Sequence, residues 1–317
     1  MLNRCLLLAL CLGISMPWAS AQQYPTKPVR LIVPLSAGGS LDSVARIVAT
    51  RLSESLGQPV VVDNRGGGGG SIGAEITARA APDGYTIMMA SSSYMILTLM
   101  YKAPYDPVRD FTPITQAASV PLLFVINPAL AANNLGEFVA LARARPGTLN
   151  YGSSGNGSFI HLTGELFKSM TATNIVHVPY KGIAPTIPDL ISGQIQFTFS
   201  SSAMSHIKSG RLRALAITSR VRSKNLPELP SMHEAGVPGF DVTQWFGVLA
   251  PAGTPRPIVD RLQREFAAAL QRPDTISRLA VEATEPVASS PEQFGLLIRS
   301  DVAKWGKVIK DAGIREK

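Results

Sequence analysis

Near its N-terminal end the chain changes from one hydrophobic pattern to another. An apolar run over Val29–Pro34 predicts a buried strand, and apolar residues spaced three and four apart from Leu41 to Leu56 predict a helix. A turn of small residues, Ser36–Ser40, separates them. A strand that turns directly into a helix leaves the first N–H groups of that helix unpaired, at the positive end of its dipole. Such a helix start favours anions.

The alternation of strand and helix continues along the chain, which predicts a parallel sheet. Strands are predicted at Pro59–Asn64 and Tyr85–Ala90, with a helix from about Ala74 to Arg79 between them. Each strand ends in a Gly- or Ser-rich loop, where open α/β sheets bind their ligands. The further predicted helices are Leu135–Ala144, Phe159–Met170, Pro185–Ser192, Ile258–Leu270 and Pro291–Ala312. The further predicted strands are Asn150–Tyr151, Ile175–Val178, Gln196–Phe199 and Leu212–Thr218.

Two long runs of β-type residues, Asp110–Asn127 and Thr243–Pro251, are predicted to be crossovers between two lobes. Two crossings between the same lobes describe a hinge. The length of the chain also suits two domains of ordinary size. The predicted organisation is a signal peptide over residues 1–21, a first domain of 22–120 plus 247–317, and a second domain of 121–246.

The first 21 residues have the pattern of a secretory signal peptide. Arg4 precedes an apolar core, Cys5–Ile14, and the small residues Ala19 and Ala21 predict cleavage after Ala21. The apolar core is too short to span a membrane. Both cysteines, Cys5 and Cys11, lie in this segment, so the mature chain would contain none. Disulfides, thiol catalysis and cysteine metal sites are therefore not expected.

The formal charge of the whole chain is +8, and removal of Arg4 with the leader would make it +7. The basic residues are spread along the chain without a polybasic run, and only 7% of residues are aromatic. This distribution does not favour nucleic-acid binding. A modest positive field that attracts small anions and a merely soluble basic surface both remain possible interpretations.

The segment Gly68–Gly73 satisfies the dinucleotide pattern GxGxxG between a strand and a helix. A dinucleotide site would also need a carboxylate about twenty residues further on, at the end of the next strand. Ala90 and Ser91 occupy that position, and Asp83 falls in a turn before the strand. A glycine turn at the start of a helix is therefore favoured over a cofactor site, and no cofactor is expected.

Residues with catalytic or metal-binding spacing are not found in the sequence. Gly155–Ser158 lacks the nucleophile between glycines that a hydrolase elbow requires. The histidines of the mature chain are scattered without paired ligand spacing: His161, His177, His206 and His233. His161, one turn into a predicted helix, is interpreted as a core or capping residue. The predicted site is an anion site without a nucleophile, and no metal is expected.

Three side chains near the predicted loops have two interpretations each. Lys181 could neutralise a carboxylate or could simply be solvated. Tyr180 could stack on a ligand or donate its hydroxyl, or could pack half-buried. Asp42, in the first turn of its helix, could accept a hydrogen bond from a ligand, or could stabilise the helix dipole and pair with Arg46.

Seven stretches of the chain resemble, in order, the substrate-binding proteins of tripartite tricarboxylate transporters, the Bug-type receptors. Together they cover nearly the whole mature chain and are much more specific than any one alone. They are Tyr24–Asp42, Pro59–Ala74, Tyr105–Ile114, Gly152–Leu162, Val178–Gly182, Leu226–Phe240 and Trp245–Pro255.

The resemblance implies an α/β, two-lobe type II periplasmic-binding-protein fold with two crossover strands and a ligand cleft. Members of this family bind small carboxylates, commonly with the loops that correspond to Pro34–Asp42 and Gly152–His161. They deliver the ligand to a two-component membrane permease, and neither cofactor nor catalysis is implied. Leu35 stands where many members have an aromatic residue, and the glycine run is longer than usual. Both departures bear on the shape of the pocket.

The leading hypothesis is a periplasmic, monomeric solute receptor, not an enzyme, that clamps a carboxylate between two loops. A ligand-binding sensory protein and a secreted enzyme are the alternatives. Aliphatic dicarboxylates, aromatic carboxylates, amino acids and nicotinate-like acids all suit such a site. The candidate ligand-binding residues are Gly38, Gly39, Ser40, Asp42, Ser92, Ser154, Asn156, Ser158, Tyr180, Lys181 and Ser201.

Overall fold

The computed structural model describes residues 24–281 and 284–314, so the predicted signal peptide lies outside the described residues. The strands are β1 (Val29–Val33), β2 (Val60–Asn64), β3 (Thr86–Ser91), β4 (Phe111–Pro121), β5 (Leu123–Ile126), β6 (Asn150–Ser153), β7 (Val176–Pro179), β8 (Phe197–Ser200), β9 (Arg213–Ile217), β10 (Thr243–Pro251) and β11 (Glu285–Pro286). The α-helices are α1 (Ser40–Leu56), α2 (Ser71–Ala78), α3 (Ser93–Met100), α4 (Leu135–Ala144), α5 (Phe159–Thr171), α6 (Thr186–Ser192), α7 (Met204–Lys208), α8 (Arg256–Leu270), α9 (Pro273–Val281) and α10 (Pro291–Asp311).

The first sheet has the strand order β11-β4-β10-β3-β1-β2. β1 is parallel to both β2 and β3, whereas β10 is antiparallel to β3 and β4. Val29, Leu31 and Val33 of β1 are buried in one core cluster with the apolar stripe of α1. Ile32, on the opposite face, is buried in the other core cluster. Burial on both faces explains why Leu31–Val33 are all apolar, whereas Arg30 is half-buried and pairs with Asp63.

The second sheet has the order β7-β6-β8-β5-β9, with β6 parallel to β7 and β8. β5 pairs antiparallel with both β8 and β9. Phe124 of β5 packs on Phe138 of α4 and on Phe197 of β8, with ring centroids 4.8 Å apart in each pair. These aromatic contacts fill one face of the second sheet, in a cluster of buried residues that also includes Ile32 and Met88 of the first sheet.

The chain passes between the sheets twice, and Thr218 ties the two passages together. The first passage is short, since only Leu122 separates β4 from β5. The Leu122 N–H donates to Thr218 Oγ1, and the Thr218 N–H donates to the Leu122 carbonyl, each at 2.9 Å. The Val242 N–H, just before β10, donates to the Thr218 carbonyl at 2.9 Å. The two passages therefore form one hydrogen-bonded unit.

The predicted β-type run Asp110–Asn127 is two strands in two different sheets rather than one. The second predicted crossover, Thr243–Pro251, is strand β10, which pairs along its whole length with β4 and so lies entirely in the first sheet. The second passage between the sheets is the segment that precedes β10. The domain boundaries at residues 120 and 246 stay predictions. The predicted helix Ala74–Arg79 begins earlier, since α2 starts at Ser71.

Helix α10 packs against β4 and α3 of the first sheet and also against α5, which covers the second sheet. Its Trp305 is fully buried and meets the ring of Phe159 edge-on, with centroids 5.4 Å apart. The sequence pattern assigns this tail to the first domain, and that assignment stays a prediction. Of the helices in the described residues, none is long and apolar enough to cross a membrane.

Candidate ligand-binding site

The turn between β1 and α1 presents unpaired backbone donors at its tip. Gly38, with φ +89°, lies in the left-handed region that favours glycine. Gly39 caps α1 without a side-chain hydrogen bond. The N–H groups of Gly39 and Ser40 have no acceptor within the described residues, and both residues are exposed. These donors, at the positive end of α1, suit an anion.

Asp42 holds this turn in place and uses both of its oxygens to do so. It is only 4% exposed. Its Oδ2 accepts from the Gly38 N–H at 2.9 Å and from Arg46 Nε at 3.0 Å, and its Oδ1 accepts from Asn64 Nδ2 at 3.0 Å. Burial alone would raise the pKa of the carboxyl, but the hydrogen bonds from Arg46, Gly38 and Asn64 outweigh it and lower the pKa. The geometry matches the structural interpretation of Asp42.

The glycine-rich segment that follows β2 packs beneath the same turn. A Cβ at Gly73 would lie 2.7 Å from Pro34 Cβ, and one at Gly66 would lie 3.2 Å from the Ser36 nitrogen. Both distances are too short for a side chain to fit without displacement. The last glycine of the GxGxxG pattern, Gly73, therefore has a packing reason in this chain, namely the close approach of α2 to the first turn.

The turn after β6 is built on the start of α5. Ser158 caps this helix, since its Oγ accepts from the His161 N–H at 3.2 Å. The Gly157 N–H in turn donates to His161 Nδ1 at 2.9 Å. The interpretation of His161 as a core or capping residue is confirmed, since it is buried and accepts this hydrogen bond. The N–H groups of Ser154 and Asn156 have no acceptor among the residues that the structure describes.

A second histidine supports this turn from β7. The rings of His161 and His177 stack with centroids 3.8 Å apart, and His177 Nε2 lies 2.6 Å from Ser153 Oγ. Burial lowers the pKa of His177 to about 3, and the neighbouring His161 and Lys168 act in the same direction. Burial also lowers the pKa of His161, which Glu165 partly opposes. Both imidazoles are therefore neutral around pH 7.

Ser92 and the second turn lie at opposite ends of α3. A Cβ at Gly157 would overlap Met100 at the end of α3, so the second turn lies directly against that helix. Ser92 precedes α3, is fully buried, and its Oγ has no hydrogen-bond partner within the described part of the chain. A buried hydroxyl without a partner is costly unless something else satisfies it.

Tyr180 and Lys181 follow β7 and differ in their contacts. The Tyr180 hydroxyl donates to Asp189 Oδ2 at 2.6 Å, and burial together with Asp189 raises its pKa to about 12. Lys181 is exposed and has neither a hydrogen bond nor an ion pair with any described residue. Tyr180 is thus engaged within its own lobe, whereas Lys181 is not.

A cavity of about 680 Å³ lies between the first turn and the second sheet, lined by Ser40 on one side and by Ser201 on the other. Lys208 of α7 and Glu228 also line it, and the sequence analysis named neither. Their signal was weak because α7 has only five residues and Glu228 lies in a proline-rich loop. The position of α7 directly after β8, at a strand end like the other loops, could have indicated Lys208.

The candidate residues therefore supply exposed amides, hydroxyls and two lysines, Lys181 and Lys208. Of the residues predicted from the sequence, Ser40 and Ser201 line the cavity and the others do not. Within residues 24–281 and 284–314, no three His, Cys, Asp or Glu side chains are grouped so that they could hold a metal ion. Amide and hydroxyl donors at a helix start can bind a carboxylate without any chemical step.

The profile of the "Tripartite tricarboxylate transporter family receptor" matches residues 44–314. The chain belongs to this receptor family. It is 40% identical over 310 residues to Protein BugT of Bordetella pertussis, a match that covers 96% of this chain and 95% of BugT.

Two solved structures of receptor relatives contain small dicarboxylates. MatC from Rhodopseudomonas palustris with bound malate is 29% identical, with a TM-score of 0.73 over 90% of this chain and 100% of its own. Another R. palustris protein, solved with adipate, is 39% identical, with a TM-score of 0.77 over 92% of this chain and 99% of its own. The predicted two-lobe α/β fold of the receptor family is confirmed.

Proposed function

We propose that this receptor is exported to the periplasm, captures a small organic carboxylate between its two lobes and delivers it to a two-component membrane permease. The observation that carries the proposal is the set of unpaired amides at Gly39 and Ser40, at the start of α1. The adipate and malate complexes of the two relatives support a carboxylate as the ligand.

In the proposed complex the carboxylate accepts hydrogen bonds from Gly39 and Ser40 on one lobe and from Ser154 and Asn156 on the other. Hydrogen bonds to a charged group contribute on the order of 1.5–3 kcal/mol each. Three or four of them in a closed cleft support micromolar binding after the costs of association. The rest of the proposed binding site is formed by Ser92, Ser158, Tyr180, Lys181 and Ser201.

Asp42 has a positioning role in this proposal. Both of its oxygens already accept hydrogen bonds, and one of the donors is the amide of Gly38. Gly38 therefore shapes the turn, while Gly39 and Ser40 contact the ligand. A carboxylate ligand would also be repelled by a free Asp42 carboxylate.

Export, oligomeric state and the partner are tested separately. The mass of the mature protein should correspond to a chain that begins at Gln22, and light scattering should give a monomer. Deletion of the gene should abolish uptake of the ligand through the permease. Loss of a signalling response with normal uptake would instead favour the sensory alternative.

The site itself is tested by Gly39→Asp. A Cβ at Gly39 meets nothing within 4 Å, so the substitution should not disturb the fold. The added carboxylate would lie among the proposed donors and repel the ligand. We expect at least a hundredfold loss of affinity for a bound acid, about 2.7 kcal/mol, measured by titration calorimetry.

Gly136→Asp is the matched control, because Gly136 is likewise exposed in the first turn of a helix, α4. It should leave affinity unchanged. Unchanged affinity in Gly39→Asp, with the fold intact by circular dichroism, would contradict the placement of the site.

A further inference from the structure

The 680 Å³ cavity is much larger than one carboxylate group requires. Its lining is mixed: Leu123, Ile217 and Leu226 are apolar, whereas Ser40 and Ser201 carry hydroxyls. Cavities of this size hold ligands of several carbon atoms, oriented by a few polar groups. A ligand anchored at the start of α1 would therefore extend along the apolar wall towards the second sheet.

Lys208 is the cation on that second wall. It ends α7, whose residues Met204 and Ser205 also line the cavity. Among the residues that the structure describes, none forms an ion pair or a side-chain hydrogen bond with Lys208. The other charged residue of the lining is Glu228, which likewise has no ion pair among the described residues.

We propose that Lys208 determines specificity by pairing with a second anionic group of the ligand, beyond the carboxylate held at α1. This inference rests on the proposed function, since it needs the first carboxylate at Gly39 and Ser40. The two anionic groups would then be held by different lobes. A ligand with one anionic group would leave Lys208 without a partner.

Glu228 acts against the second anionic group in this arrangement. It lines the same cavity and would repel a dianion more strongly than a monoanion. The two residues therefore have opposite effects on the same preference. Removal of Lys208 should reduce the preference for a dicarboxylate, and removal of the charge of Glu228 should increase it.

The experiment compares two six-carbon acids, hexanoate and adipate, which differ in the second carboxylate. Titration calorimetry gives the dissociation constants of both acids for the wild-type protein and for Lys208→Met and Glu228→Gln. We expect the adipate-over-hexanoate preference to fall about tenfold in Lys208→Met and to rise severalfold in Glu228→Gln. Hexanoate affinity should change less than about twofold in both variants, because the α1 end is intact.

Lys224→Met is the matched control. Lys224 is exposed and stands between Ser223 and Asn225, both of which line the cavity, but it is not itself part of the lining. Lys224→Met removes the same charge from the same lobe as Lys208→Met. An unchanged adipate-over-hexanoate preference in Lys224→Met would show that contact with the ligand, rather than overall charge, determines the preference.

Two outcomes overturn the inference, and they differ in what else they affect. If the wild-type protein binds adipate but Lys208→Met changes both acids equally or neither, the role of Lys208 is wrong and the carboxylate site stands. If the wild-type protein binds hexanoate as tightly as adipate, or binds neither acid, the proposed role of Lys208 is contradicted, and the carboxylate site itself is then decided by Gly39→Asp.

Discussion

The two turns that form the proposed clamp are similar in sequence but are held by different chemistry. The first turn depends on an ionised side chain, Asp42, which accepts three hydrogen bonds from Gly38, Arg46 and Asn64. The second depends on neutral imidazoles, since His161 Nδ1 accepts from the Gly157 N–H. Asp42 can accept these hydrogen bonds only while its carboxylate is deprotonated, and His161 only while its imidazole is neutral. The two groups ordinarily take up protons in different pH ranges.

The comparison shows that small-residue turns do not maintain their own shape. Glycines allow the backbone conformations, but each turn needs a buried side chain from a neighbouring element to select one of them. In the first turn that support comes from α1 and β2, and in the second from α5 and β7. Substitution of the supporting side chains should therefore weaken ligand binding as much as substitution of the residues proposed to contact the ligand.

The largest effect on stability is expected from Asp42→Ala. The substitution removes three hydrogen bonds to a carboxylate that is only 4% exposed, from Gly38, Arg46 and Asn64. We expect a loss of about 2–3 kcal/mol in the free energy of unfolding, measured by urea denaturation, and weaker binding of the carboxylate ligand.

Asp260→Ala is the control for Asp42→Ala, because it also breaks an Asp–Arg pair four residues apart, but at the surface of α8. Surface pairs contribute little, so its stability should stay near that of the wild type. An equally small change in Asp42→Ala would mean that Asp42 does not hold the first turn.

A pH-dependent effect is expected at the second turn, from His177→Gln. The pKa of His177 is lowered to about 3 in the folded protein from the usual 6.5. Between these values the unfolded chain binds more protons, so stability falls as the pH falls from 6.5 towards 3 and is fully retained above 6.5. One such group adds a slope of at most about 1.4 kcal/mol per pH unit.

The glutamine variant cannot take up this proton, so its free energy of unfolding should depend less steeply on pH in that range. Urea denaturation of both proteins at several pH values from 4 to 7 measures the difference. Glu165, Lys168 and His161 are present in both proteins, and His161, whose pKa is also lowered by burial, adds a pH dependence to both curves. Parallel curves for wild type and His177→Gln would show that His177 does not titrate with folding.

The smallest effect is expected from Tyr180→Phe. Its hydroxyl already donates to Asp189, so its removal should cost about 1 kcal/mol of stability and change ligand affinity less than about twofold. Thermal unfolding and calorimetry measure the two quantities. A loss of affinity of tenfold or more would instead place the hydroxyl on the ligand, and the two turns would then share the site with β7.

Much of the fold follows from periodicity, and the exceptions have physical reasons. β1 and α1 have clear patterns because one is buried on both faces and the other on one. Helix α3, SYMILTLM, was not predicted because it is apolar all round and shows no stripe. The run Asp110–Asn127 appeared to be one strand because both of its halves are rich in β-type residues. Only Leu122 marks the passage between the sheets.

The loops of the candidate site were identified from the sequence, and their role in binding stays a prediction; the side chains that support these loops were not identified. Gly39, Ser40 and Ser154 follow from the rule that strand ends bind ligands, whereas the partner of Asp42, Asn64, is 22 residues away and has no local signal. Lys208 lies in a helix too short to show a period. Long-range partners of this kind depend on which strands are neighbours in the sheet, which composition and spacing do not specify.

The glycines beneath the first turn show that a sequence motif can record a distance rather than a chemical activity. At Gly66 and Gly73 a side chain would overlap Ser36 and Pro34 of the first turn, so these two positions require glycine. A Cβ at Gly39 would meet nothing within 4 Å, and in the proposed complex this open space is where the ligand binds. Glycine thus allows close packing at Gly66 and Gly73, after β2, and leaves open space at Gly39, in the first turn.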